Sequence, residues 1–173
     1  MTTPVRYLYL LRHAKSDWDD PGLEDHERPL SPRGRKAAKK IAQHLRESGI
    51  QPSLVLCSSA LRARQTLEGV SSAFGEAVAI KVERSLYGAD EGNLLARLRR
   101  VPASVQSVMV IGHNPGLQFL ALTLAARGKQ RARLEAKFPT AALATLRILE
   151  SPWKELDRGR AELVELVVPR DLG

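Results

Sequence analysis

The chain predicts an α/β fold, a three-layer α/β/α sandwich around a mostly parallel sheet with an antiparallel edge. Three observations lead there. Short apolar runs recur along the sequence, helical patterns separate the first four of them, and the last two are joined only by turn-prone residues. Strands alternating with helices imply a parallel sheet covered on both faces, whereas consecutive strands joined by turns lie side by side as a hairpin or meander.

The first run, Val5–Leu11, is rich in Val, Tyr and Leu, as suits a buried strand, and closes on Arg12-His13. The ends of parallel strands are where open α/β sheets expose functional groups, so this pair would face a crevice. Ala14 to Leu30 then shows no helix or core strand. Connections longer than about 12–15 residues in compact domains are usually functional or disordered, and a loop opening directly after His13 could wall the crevice and select a substrate. Ser31-Pro32 supplies an N-cap and a proline at the first helical position for a helix with Ala37, Ile41 and Leu45 on its apolar side, ending near Gly49.

Leu54–Cys57 is the second strand. Ser58-Ser59 can cap the following helix, which runs from about Ala60 to Gly75 with Ala63, Leu67, Val70 and Phe74 on one stripe. Val78–Val82 is the third strand, followed after Asp90 by a helix carrying Leu94, Leu95 and Leu98 that stops at Pro102. Val105–Ile111 is the fourth, ending at Gly112-His113, and Asn114-Pro115 repeats the start signal before Leu117, Leu120, Ala121 and Leu124. The basic segment Arg127–Arg133 reads as a connection. Ala141–Ile148 and Ala161–Val168, separated by Glu150–Trp153 and Asp157–Gly159, complete the sheet.

With 173 residues the chain fits one domain, 1–173, large enough for its own core, and has no repeats or convincing linkers. The formal charge of +8 invites a nucleic-acid partner. Its distribution argues against one: the basic residues Arg33–Lys40 form the polar side of a helix, and an acidic stretch, Asp17, Asp19, Asp20, Glu24, Asp25 and Glu27, would repel a nucleic-acid backbone. Aromatics for base stacking are few. No run is long enough to span a membrane, and the apolar stretch near Met1 is too short for a signal peptide, so a cytoplasmic location with no membrane partner is expected. The lone Cys57 sits in the apolar run Leu54–Leu56 and reads as a small buried hydrophobe compatible with a reducing compartment.

Four positions carry the chemistry. Arg12 and His13 end one strand, Arg62 lies in the first turn of the helix after the second, and His113 ends the fourth just ahead of a helix. In a parallel sheet these ends point the same way. Helix openings offer free N–H groups and a positive dipole end, which favour an anion. A phosphoryl group in transfer spreads negative charge over its oxygens, and arginine's planar, permanently charged fork suits it. One neutral imidazole could attack phosphorus and become phosphohistidine while the other donates to an oxygen. Neighbouring guanidinium charges would help keep it neutral. No metal and no cofactor is required.

Leu10–Ala14, Ser58–Thr66 and Gly112–Pro115 resemble the motifs of the histidine phosphatase superfamily, and Arg28–Gly34, with the short chain, resembles its SixA-like phosphohistidine phosphatase branch. The likeness runs from about Val5 to Ile148 and includes Phe138–Ala142. It implies a phosphoglycerate-mutase-like fold, His13 as phosphate acceptor, and a phosphate pocket of Arg12, Arg62, His113 and Arg28. The expected substrate is phosphohistidine on a protein, or a small phosphorylated molecule, with inorganic phosphate as product. Two departures stand out: Ala14 replaces a glycine common in the superfamily, and the glutamate that donates a proton in the phosphoglycerate mutase branch has no clear counterpart. Asp17, Asp19, Asp20, Glu27, Asp90 and Glu91 are candidate donors, each also explicable as a loop residue or, for Asp90, a helix cap. A phosphohistidine substrate depends less on such an acid, because its leaving imidazole can be protonated on its other nitrogen.

Lys15 and Ser16 lie two and three residues after the acceptor and could touch phosphate or solvent alike. Trp18 and Tyr87 could line a pocket. His26, His44, Arg33 and Arg64 read as surface residues. Competing functions are a small-metabolite phosphatase of the same superfamily and a non-catalytic phosphate-binding module; a mutase is disfavoured, with no insertion to hold a bisphosphorylated intermediate.

Overall fold

Alternating side chains on buried strands feed two separate apolar layers, and this builds the sandwich. In the computed structural model, which describes residues 4–126 and 128–173, the strands are β1 (Arg6–Arg12), β2 (Leu54–Ser58), β3 (Ala79–Glu83), β4 (Ser107–Gly112), β5 (Leu143–Ile148) and β6 (Ala161–Val167). They form one sheet in the order β3-β2-β4-β1-β5-β6. β1, β2, β3 and β4 are mutually parallel, β5 is antiparallel to β1, and β6 is antiparallel to β5. The helices are α1 (Pro32–Glu47), α2 (Leu61–Val70), α3 (Glu91–Arg99), α4 (Gly116–Leu124) and α5 (Lys129–Ala136).

On β1, Tyr9 and Leu11 point to the face covered by Ile41 and Leu45 of α1 and Ala63 and Val70 of α2. Leu8 and Leu10 point to the opposite face, covered by Leu94 and Leu98 of α3, Leu117 and Leu120 of α4 and Leu134 of α5. Period-two alternation in the strands thus meets helical stripes above and below, the expected three layers with an antiparallel edge.

Several local expectations are corrected. The basic run read as a connection enters α5, which begins at Lys129; the run's first residue, Arg127, lies outside the described residues. Only Leu134 of that helix is counted in the core, so its apolar period was too thin to read. α2 ends at Val70 and yields to a 3₁₀ turn at Ser71–Ala73. Ser58 and Ser59 do not cap α2: Ala60 is its N-cap, and the Ser58 hydroxyl accepts from Ala60 N at 3.2 Å, short of the helix, while also meeting His113. α4 begins at Gly116, so Pro115 precedes the first helical turn. β3 is an edge strand exposed on both faces, where Lys81 and Glu83 discourage pairing with another chain. As expected, Ser31 caps α1, its side chain accepting from Gly34 N at 3.0 Å. Among the described residues no helix is long and apolar enough to cross a membrane.

Candidate active site

The carboxyl ends of β1, β2 and β4 lie side by side, and the backbone there is clamped. His13 N donates to Gly112 O and Arg12 N to Ala142 O, both at 3.0 Å, while Ala141 N donates to both Arg12 O and His13 O. Ala14 N donates to Thr66 Oγ1 at 2.9 Å, and Thr66 Oγ1 donates to Arg62 O at 2.7 Å. One threonine therefore ties the backbone after His13 to the helix that carries Arg62.

Arg12, His13, Ser16, Arg28, Arg62 and His113, all six residues singled out from sequence, line one cleft of about 660 Å³. His13 Nδ1 lies 2.7 Å from Ala14 O. A carbonyl oxygen only accepts, so Nδ1 carries the proton and Nε2 keeps a lone pair in the cleft. Arg62 Nε approaches that Nε2 at 3.4 Å. Burial pushes His13 down to about 3, with the charges of His113, Arg62 and Arg12 acting in the same direction and the Ala14 carbonyl opposing them. His13 is therefore neutral at pH 7. His113, 5.1 Å away between ring centroids, bonds through Nε2 to Ser58 Oγ at 2.7 Å. Burial first, then Arg62, pushes it down to about 4. Arg12 is fixed by Nη1 donating to Phe138 O at 3.1 Å.

The loop expected to wall the crevice does so through a carboxylate that sequence reasoning passed over. Asp25, in a 3₁₀ turn at Asp25–Glu27, accepts from Arg28 Nη2 through Oδ1 and from Arg62 Nη2 through Oδ2, both at 3.0 Å, and from Tyr87 Oη at 2.5 Å. The Tyr87 bond, then those from Arg28 and Arg62, hold its carboxyl well below the usual carboxylate range against the opposing effect of burial. Arg28 also donates to Ser16 Oγ at 2.8 Å and stacks 3.4 Å from the Trp18 ring centroid. The one sequence hint of Asp25 was its place three residues before Arg28.

The six expected proton donors fare differently. None lines the cleft, where Asp25 is the sole carboxylate among the described residues. Asp90 caps α3 by accepting from Asn93 N at 2.8 Å, and Glu91 accepts from Thr123. Asp17 and Asp20 accept from Asp19 N and Gly22 N within their own turns. Glu27 pairs with His26, and Asp19 is exposed. His26 is also not the surface residue expected: its Nε2 meets Ser59 Oγ at 2.8 Å and its ring stands edge-on to Tyr87 at 4.9 Å, at the rim of the cleft. Cys57 is fully buried, and burial pushes its thiol up to about 12, far from a thiolate nucleophile.

A cleft with two neutral imidazoles, three guanidinium groups and an unprotonated His13 Nε2 can bind a tetrahedral oxyanion and offer it a nucleophile. An uncharacterised protein of Mycobacterium tuberculosis is 41% identical over 164 residues, 92% of this chain and 100% of that protein. The phosphohistidine phosphatase SixA of Escherichia coli (strain K12) is 29% identical over 146 residues, 83% of this chain and 86% of that protein. A solved structure of the protein histidine phosphatase SixA complexed with tungstate matches with a TM-score of 0.79 at 27% identity, covering 96% of this chain and 99% of that one. Residues 8–100 match the model of the histidine phosphatase superfamily, branch 1. With its phosphoglycerate-mutase-like fold, the chain belongs to the histidine phosphatase superfamily.

Proposed function

We propose that this chain is a metal-independent phosphatase that hydrolyses phosphohistidine through a covalent phosphohistidine at His13. The observation that carries the P–N preference is the absence, among the described residues of the cleft, of a carboxylic acid with a proton to give: Asp25 is held ionised by Tyr87, Arg28 and Arg62. An alkoxide leaving group needs such a proton. The imidazole of phosphohistidine does not, since protonation of its other nitrogen by solvent lets it depart neutral.

In the first step His13 Nε2 forms a bond to phosphorus as the substrate's P–N bond breaks, the electron pair leaving with the imidazole. Arg12, Arg62 and Arg28 hold the equatorial oxygens, and His113 stands beside the reacting phosphoryl group. Water then attacks the phosphoenzyme, releasing inorganic phosphate and returning neutral His13. Binding of tungstate by the SixA relative supports an oxyanion pocket of this kind. The lone buried Cys57 suits a reducing cytoplasm, where we place the protein.

A substrate panel tests the reading. Phosphohistidine is expected to show a higher kcat/KM than sugar phosphates or nucleotides, with an acid-labile phosphoenzyme trapped at early times. His13→Ala should lose both, turnover falling at least about 10³-fold. Equal kcat/KM for phosphohistidine and alkyl phosphates would remove the P–N preference, and turnover retained by His13→Ala would remove the mechanism.

A further inference from the structure

Beside the catalytic cleft lies a second hollow, of about 300 Å³, that the proposed reaction does not use. Among the described residues four cations line it, Lys15, Arg33, Lys137 and Arg170, and no carboxylate does. It adjoins the catalytic cleft through Lys15 and Thr140, which line both. Some arginines elsewhere are matched, Arg97 with Glu83, Arg131 with Glu135 and Arg147 with Glu162. Among the described residues none of the four joins an ion pair. Asp171, next in sequence to Arg170, turns instead to Arg133.

The cations stand on fixed backbone. Lys15 O accepts from both Ser31 N at 2.9 Å and Ser31 Oγ at 3.1 Å, and a Cβ on Gly34 would meet that same carbonyl oxygen at 2.1 Å, so the loop is seated directly on the first turn of α1. Arg33 lies in that first turn, where the positive end of the helix dipole makes a further cation unfavourable. Lys137 follows α5 directly and precedes the buried Phe138. Four like charges around a concavity repel one another, and the α1 dipole adds to the repulsion; an anion placed there relieves both.

We propose that this hollow is a second anion subsite, taking a carboxylate or a second phosphate carried by the same substrate whose phosphoryl group is bound between Arg12, Arg62 and His113. It rests on the phosphatase reading and narrows the substrate to molecules with two neighbouring anionic groups. Flanking acidic side chains of a phosphohistidine protein and the second phosphate of a small bisphosphate share this chemistry, so the test runs both.

The kinetic arm compares a phosphohistidine peptide flanked by glutamates with the same peptide flanked by glutamines, and a hexose bisphosphate with a hexose monophosphate. In wild type at low salt the dianionic member of one pair should be favoured in kcat/KM by roughly three- to tenfold, the preference shrinking as salt screens it. In a Lys137→Gln/Arg170→Gln variant the ratio, each variant serving as its own reference, should fall toward one. Ratios near one for both pairs in wild type would overturn the subsite. The binding arm titrates hexaglutamate into wild type at saturating inorganic phosphate and follows backbone amide shifts. Saturable shifts at residues 15, 33, 137 and 170, lost in the double variant, support the subsite. Their absence, or equal shifts with a single-stranded oligonucleotide, overturns it. Failure to hydrolyse either peptide while those shifts persist would sink the phosphohistidine reading alone.

Discussion

At the strand-end half of the cleft, Arg12, His13 and His113 stand on backbone held by the sheet, whereas the loop half, residues 15–30, is closed by backbone bonds at its base, Asp17 N to Pro29 O and Ser31 N to Lys15 O, and places its functional groups through side-chain contacts. His13 N bonds β4 and the following Ala14 is tied to Thr66. The loop has an isolated bridge at Ser16–Leu30 and a contact from Leu30 N to Gln65 Oε1, and its functional groups are otherwise organised around the Asp25 carboxylate. Arg62 belongs to both halves: it rises from α2 but donates through Nη1 and Nη2 to Asp25. The contrast separates groups fixed before a ligand arrives from groups whose positions depend on one another, and only the first kind can supply preorganised charge.

The contrast breaks most directly at the two arginines. Arg62→Ala removes a fixed charge next to His13 Nε2 and is expected to lower kcat about 10²–10³-fold. Arg28→Ala removes a charge held by Ser16, Asp25 and the Trp18 ring, and should cost about tenfold in kcat/KM, carried mainly by KM. Steady-state kinetics on one aryl phosphate checks both. Equal losses would mean that the loop half is as preorganised as the strand ends.

The pH dependence probes the strand-end half alone. Because His13 is held down to about 3 and His113 to about 4, both are neutral through the physiological range. The acid limb of kcat/KM should therefore lie near pH 3–4 instead of at the ordinary histidine value near 6.5. Stability has the matching sign. Between pH 6.5 and about 3 the unfolded chain binds protons at these two residues that the folded chain refuses, so their contribution is full above 6.5 and is lost as the pH falls through that window. Urea midpoints measured from pH 8 to pH 4 should decline accordingly, and a kinetic limb near pH 6.5 would show that the imidazoles are solvated.

Asp25→Asn sharpens the loop side. The amide keeps its size and one acceptor oxygen but loses the charge that pairs with Arg28 and Arg62. A fall of about tenfold in kcat/KM is expected if the carboxylate positions the two guanidinium groups. Tighter inhibition by inorganic phosphate in the variant would assign Asp25 instead as a competitor for the same donors.

The same division decided what could be read from sequence. Arg12, His13, Arg62 and His113 were legible because strand and helix periodicities fix where an element ends, and in a parallel sheet those ends converge. Asp25 was not, because its meaning depends on Tyr87, 62 residues away, and on Arg62 across the cleft. His26 was misread for the same reason: its partners, Ser59 and Tyr87, arrive only on folding. Ser58 was read from local chemistry as a cap, but its hydroxyl is shared between Ala60 N, ahead of the helix, and a tertiary partner, His113.

The smallest expected effect falls outside both halves and tests whether an acid was correctly withdrawn from the mechanism. Asp90 is joined to Asn93 by a reciprocal pair of bonds, Asn93 N to Asp90 Oδ1 at 2.8 Å and Asp90 N to Asn93 Oδ1 at 3.3 Å, at the start of α3. Its carboxylate thus satisfies a helix N–H that would otherwise lack a partner. Asp90→Ala should destabilise the fold by about 1 kcal/mol, seen as a lower urea midpoint, with kcat on phosphohistidine and on an aryl phosphate unchanged at 25 °C. A proton donor would behave in the opposite way, leaving stability nearly intact while turnover of the ester with the poorest leaving group fell most. That outcome would return Asp90 to the cleft and, by supplying the missing acid, weaken the case for a P–N substrate.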